Sequence, residues 1–67
     1  MKLEPNFALG VIRESNGNYY AGAIGMIRSI ISESYSPFTK VRNVRTVLAA
    51  LETVLAEEER RPGDDAR

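Results

Sequence analysis

The feature that most constrains the fold is a long apolar repeat in the second half of the chain. Ser36 is a favourable helix N-cap, Pro37 suits a first helical position, and Pro62 ends the pattern. These signals predict a helix from about residue 37 to residue 60, about 36 Å long at the helical rise. Apolar residues recur in it at intervals of three and four, which is one helix stripe and also a heptad seam: Val41, Val44, Leu48, Leu51 and Leu55.

A second helix is predicted from about residue 19 to residue 34. Its apolar residues form two adjacent stripes that cover about half of the helix circumference. A helix this apolar is normally central and contacts two neighbours. The first stripe is Tyr20, Ile24, Ile27, Ile31 and Tyr35, and the second is Tyr19, Ala23, Met26 and Ile30.

The segment from about residue 5 to residue 15 fits two structures. Pro5 near its start and Gly17 just after its end favour a helix. Alternation of apolar residues before Asn16-Gly17 is instead typical of a strand in a hairpin, which gives the alternative order strand-helix-helix. The helix is favoured, because a hairpin would need a second strand where residues 19–31 have a helical pattern.

The predicted fold is therefore all-α. A long helical hairpin (19–34 and 37–60) carries a short N-terminal helix (5–15) packed across it, in a single domain of residues 1–61. Residues 62–67 contain only Ala66 as an apolar residue and are predicted to be a disordered tail. A chain of 67 residues buries only about 60% of its unfolded surface, so self-association or a partner is the expected source of extra stability.

The composition argues against catalysis and against metal binding. The chain has no cysteine and no histidine, which removes Ser-His and Cys-His pairs, disulfides and the commonest zinc ligands. Its clustered carboxylates, in residues 57–59 and 64–65, do not converge on one point of a helix. We expect no catalytic residue, no cofactor and no metal site.

The sequence predicts a cytoplasmic protein without a membrane segment. The absence of cysteine favours a reducing compartment. Glu4 and Pro5 interrupt any signal peptide at the start. The longest apolar stretch, residues 19–31, is broken by Arg28 and is too short to span a bilayer.

The back of the second helix is the most unusual surface that the sequence predicts. Small residues lie where a solvated helix normally carries charges: Ala21, Gly22, Gly25 and Ser29. Such a face accepts close packing of another helix, either from a second chain or from the protein's own first helix. The end of the heptad seam, at Leu51 and Leu55, is the other candidate for a protein interface.

The charge pattern suggests two further contacts. The start of the third helix carries the basic residues Lys40, Arg42 and Arg45, and its second half is acidic. Antiparallel pairing of two copies would bring the unlike halves together. The basic start would also suit a DNA-binding helix, although nine basic and nine acidic residues give zero net charge.

From these patterns we predict a small non-catalytic protein-binding module, a homodimer that acts as a regulator, adaptor or inhibitor of another protein. The alternative is a small DNA-binding transcriptional regulator of helix-turn-helix or ribbon-helix-helix type. That alternative would use Lys40, Arg42 and Arg45 for nucleic-acid contact.

Overall fold

A computed structural model describes residues 2–60. They form three helices, α1 (Pro5–Arg13), α2 (Tyr19–Ser32) and α3 (Pro37–Glu59), and no strand occurs among these residues. The all-α prediction is confirmed and the strand-helix-helix alternative is wrong. Each helix begins where predicted and ends within two residues of the predicted position. The predicted tail, residues 62–67, lies outside the described residues.

The start of α3 is fixed by the capping signals seen in the sequence. The hydroxyl of Ser36 accepts a hydrogen bond from the backbone N–H of Thr39 (3.3 Å), and Pro37 occupies the first helical turn. This satisfies one of the amide groups that a helix start leaves without an intrahelical partner. The side chain of Asn18 makes no equivalent cap on α2.

The reversal between α1 and α2 depends on two left-handed residues. Asn16 has φ of 56° and Gly17 has φ of 85°. Asparagine and glycine are the residues that adopt this backbone conformation most readily. The Asn-Gly pair therefore ends one helix and turns the chain back for the next, as part of an all-helical fold and not of a hairpin of strands.

Helices α2 and α3 form the predicted hairpin. At one end the Tyr19 hydroxyl donates to the Glu58 carboxylate (2.8 Å), and at the other the Lys40 ammonium donates to the Ile31 carbonyl (2.8 Å). Contacts at both ends of α2 mean that the two helices run antiparallel, side by side, along the whole of α2.

The core lies where α1 and α2 both pack against α3. Helix α3 is thus the central helix, a position that the sequence pattern had assigned to α2. Asn43 is buried in α3 and accepts a hydrogen bond from the backbone N–H of Leu3 (3.0 Å), which ties the segment before α1 to the core. The buried apolar residues are Ala8, Ile12, Ala23, Ile30, Val47, Ala50, Leu51 and Val54.

The sides of α2 and α3 that enter the core are rotated from those suggested by the strongest stripes. On α2 the core receives Ala23 and Ile30, while Tyr20, Ile24 and Ile31 remain exposed. Helix α1 causes this rotation, because it packs on the side of α2 that carries Gly22 and draws the adjacent stripe inward. On α3 the buried positions are centred on Val47 and Val54, and the predicted seam is only partly covered.

Candidate protein-binding surface

Helix α1 covers one side of the α2/α3 hairpin, and three contacts define that side. Gly22 of α2 lies against Ser15 and Ile12 at the end of α1. On α3, Asn43 bonds to Leu3, just before α1, and Glu57 bonds to Arg13 at its end.

The opposite side of the hairpin carries apolar side chains with no partner among the described residues to cover them fully. Residues two apart on a helix point about 160° away from each other. Ile24 therefore points away from the α1 side marked by Gly22, and Val41 and Leu55 point away from Asn43 and Glu57. We call this surface the outer face, formed by Tyr20, Ile24, Ile27 and Ile31 of α2 and by Val41, Val44, Leu48 and Leu55 of α3.

The exposure of the outer face is high for residues of this type. Tyr20, Ile24, Ile31, Val41 and Leu48 are 60%, 54%, 59%, 57% and 45% exposed. They are five of the seven large apolar side chains that are exposed among residues 2–60. Exposed apolar residues that are scattered need no explanation, whereas a contiguous group of this kind is a candidate contact surface.

The small residues of α2 were predicted to pack against either a second chain or the protein's own first helix. Gly22 differs from the other three in this respect. A Cβ atom at Gly22 would lie 3.3 Å from the Cβ and Oγ atoms of Ser15, so Gly22 serves close packing within the chain. A Cβ atom at Gly25 would meet nothing within 4 Å. Gly25, Ala21 and Ser29 line an open groove beside Phe7 of α1.

The two seam residues predicted as interface candidates are placed differently. Leu51 is buried in the protein's own core and is not offered to another chain. Leu55 is half-buried, packs against the core and lies at one end of the outer face. The seam residues with the larger exposed areas are Val41 and Leu48.

The three basic residues at the start of α3 do not converge. Lys40 bonds to the carbonyl of Ile31 on α2, whereas the guanidinium of Arg42 lies over the ring of Phe38, 5.8 Å from its centre. Arg42 and Arg45 line a shallow groove that extends from Pro5 and Leu9 of α1 to Val41, at the edge of the outer face and away from Lys40. The two helices of a helix-turn-helix unit meet at about 90–120°, an arrangement that this side-by-side hairpin lacks. The strand required by a ribbon-helix-helix protein is absent from residues 2–60.

One ion pair joins α1 to α3 at the surface. The Arg13 guanidinium donates to both carboxylate oxygens of Glu57, at 3.3 and 2.7 Å. The hydrogen bond to Glu57 and its negative charge together raise the pKa of Arg13, so the arginine stays charged. Both side chains are about half exposed, so the pair guides the packing of α1 and contributes little to stability.

A shared metal site and a membrane-spanning helix have no geometry to support them in the described part of the chain. Residues 2–60 contain no group of three or more acidic side chains placed to share a metal ion. None of the three helices is long and apolar enough to cross a bilayer. Comparison with models of known protein families finds no match, nor does comparison with curated proteins or with solved structures.

The sequence prediction offered Leu55 of the outer face as an interface candidate, but it did not single out the exposed stripe of α2 or the exposed seam residues Val41 and Leu48. One signal could have revealed the exposed stripe. The two apolar stripes of α2 span more of the helix than a short α1 and one side of α3 can cover, so one stripe had to remain exposed.

Proposed function

We propose that this chain is a small non-catalytic protein-binding module that presents its outer face to another protein chain. It acts as a regulator, adaptor or inhibitor and assembles as a homodimer. The observation that carries the proposal is the outer face itself, which groups Tyr20, Ile24, Ile31, Val41 and Leu48 on the side of the hairpin that α1 leaves bare.

The energetics of a small chain support this function. Burial of apolar area stabilises a contact by roughly 25 cal/mol per Å². A three-helix domain of this size has a small core of its own, so a partner that covers the outer face adds substantially to its stability. The non-catalytic role is supported by a sequence without histidine or cysteine. The missing cysteine also supports the cytoplasmic location that forms part of this proposal.

The proposal is tested by in-cell crosslinking and purification of the tagged chain, with mass spectrometry of the proteins joined to it. Ile24→Glu places a charge on the outer face, and we expect it to abolish the crosslinks. Ser29→Glu is the matched control, because it adds the same charge to an exposed position of the same helix, in the small-residue groove.

Circular dichroism should show both variants to be folded, since both positions are exposed. Loss of crosslinks in Ser29→Glu alone would move the contact to the groove of Ala21, Gly25 and Ser29. Crosslinks that survive in both variants would contradict a protein-binding role for either surface.

DNA binding is the second candidate function, supported by the two cations Arg42 and Arg45 on one side of α3, beside the exposed ring of Phe38. If it is correct, the chain shifts duplex DNA in a gel at low salt. Replacement of both arginines by alanine should then weaken binding and reduce the salt slope by about one unit for each phosphate that the variant no longer binds. No shift at low salt would exclude this function.

A further inference from the structure

We propose that a second copy of this chain covers the outer face, related by a two-fold axis that runs perpendicular to the helices and passes beside Leu48. Helix α3 then lies antiparallel on α3 of the partner, and α2 lies antiparallel on α2 of the partner. The inference rests on the proposed function, and it names the partner and the register of the contact.

Three of the four apolar positions of α3 on the outer face are symmetric about Leu48, and the half-buried Val44 is the one without an apolar counterpart. Val41 and Leu55 lie seven residues before and seven residues after it. A helix turned end to end about Leu48 therefore places Val41 opposite the partner's Leu55 and Leu48 opposite the partner's Leu48. In a two-fold dimer the same patch meets itself, so such self-matching is required.

Helix α2 has the same property about its own midpoint. The intervals between its outer-face residues are four, three and four, which are the same in both directions: Tyr20, Ile24, Ile27 and Ile31. Turned about a point between Gly25 and Met26, Tyr20 meets the partner's Ile31 and Ile24 meets the partner's Ile27. All four apolar positions of α2 are matched by this one operation.

The two midpoints lie at similar heights along the hairpin. Hydrogen bonds join α2 to α3 at both ends, from Tyr19 to Glu58 and from Lys40 to Ile31. These pairs are 12 residues apart on α2 and 18 residues apart on α3, about 18 and 27 Å, because the Tyr19 and Lys40 side chains are long and reach along the helices. Midway between them are Gly25 on α2 and Ala49 on α3, which match in height to about 4.5 Å, half of the difference between the two spans. The symmetry points of the two helices lie within about one residue of these positions, so we place one two-fold axis across both helices at this height.

Charge complementarity favours the same axis. Arg45 and Glu52 are exposed and lie near Leu48, at the edge of the outer face that borders the groove beside α1. The axis brings Arg45 beside Glu52 of the partner subunit, and Glu52 beside the partner's Arg45. The other face-to-face arrangement, with α3 on α2 of the partner, puts the partner's Arg28 at the height of Arg45, where like charges repel. Pairs of this kind set orientation more than they add affinity.

The area also suits a dimer. The five exposed apolar side chains of the outer face give an apolar patch on the order of 500 Å², near the upper limit of what monomers leave exposed. With the charged residues beside it, the patch approaches the roughly 800 Å² that each partner buries in a stable interface.

Cysteine crosslinking tests the register, because the chain has no cysteine of its own. Leu48→Cys, which lies at the axis, should form a disulfide-linked dimer under mild oxidation. Val41→Cys alone and Leu55→Cys alone should not, since each lies 14 residues, about 21 Å, from its own copy. An equimolar mixture of Val41→Cys and Leu55→Cys should give the mixed dimer. Thr53 is exposed and lies about 140° around α3 from Leu48, so Thr53→Cys is the control that stays monomeric on the gel.

Charge exchange provides a readout that leaves the apolar contact intact. Arg45→Glu and Glu52→Arg should each weaken the dimer, by about tenfold in Kd, and the double variant should restore it. Light scattering at micromolar concentrations measures this together with the wild-type mass.

A monomeric wild type would overturn the inference, as would self-crosslinking of Val41→Cys and Leu55→Cys, which indicates a parallel contact. A monomer whose crosslinks to a different protein are lost in Ile24→Glu would leave the proposed protein-binding function standing without the dimer.

Discussion

The backbone N–H of Leu3 donates a 3.0 Å hydrogen bond to the side-chain oxygen of Asn43, forty residues further along the chain. Asn43 is the buried polar residue of the described core, and it belongs to the central helix. The bond is partly buried, with the buried Asn43 side chain as acceptor, and it fixes where the segment before α1 crosses α3.

Asn43→Ala should destabilise the fold by about 1–3 kcal/mol, because it leaves the Leu3 amide without its acceptor. The midpoint of urea unfolding measures the change. Thr53→Ala is the control on the same helix. Its hydroxyl bonds only to the carbonyl of Ala49 on an exposed surface, so stability should stay within about 0.5 kcal/mol of wild type. Equal midpoints for the two variants would show that the bond to Leu3 adds nothing to stability.

Gly25→Ala should raise stability by about 1 kcal/mol, since alanine favours a helix interior and its Cβ atom meets open space. Gly22→Ala should gain less or lose stability, because its Cβ atom presses on Ser15 at 3.3 Å. Thermal unfolding of the two variants compares two positions in the same helix, where the gain in helix propensity from glycine to alanine is the same. A larger gain at Gly22 than at Gly25 would contradict the close packing of α1 on α2.

Ser36→Ala should cost about 1 kcal/mol through loss of the cap on α3. Ser36→Asp should retain most of the stability, because a carboxylate also accepts from the first-turn amides and suits the positive end of the helix dipole. Ser34 is exposed and lies between α2 and α3, so Ser34→Ala is the control for the loss of a serine hydroxyl. Chemical denaturation of the three variants decides whether the cap matters as the geometry predicts.

Glu57→Gln should lower the melting temperature slightly at low salt and have no effect in about 1 M NaCl, where exposed charges are screened. The raised pKa of Arg13 gives the sign of its pH dependence. The charged Arg13 side chain makes its full contribution to the stability of the fold below its pKa in the unfolded state. That contribution is lost only as the pH rises through strongly alkaline values. Between about pH 6 and 9 this arginine should therefore cause no change in stability. A salt-independent loss in Glu57→Gln would point to packing and not to charge.

Local signals in the sequence determined the elements of this protein. Ser36-Pro37 marks the start of α3, and Asn16-Gly17 marks the turn between α1 and α2, because capping and left-handed backbone depend on residues only a few positions apart. The antiparallel hairpin followed from the short connection between two long apolar helices. The fold class and the helix bounds could therefore be predicted.

The tertiary structure alone decided which side of each helix is buried. The stripe containing Ile24 and the stripe containing Ile30 are adjacent on α2 and similarly apolar, so periodicity does not choose between them. The choice depends on where α1 packs, and that is set by the contact of Gly22 with Ser15 and by the bond from Leu3 to Asn43. The bond from Leu3 to Asn43 joins residues far apart in the sequence, beyond the reach of any local pattern. For this reason the sequence predicts Leu55 as a contact residue but does not show that Ile24 is exposed and Ile30 is buried.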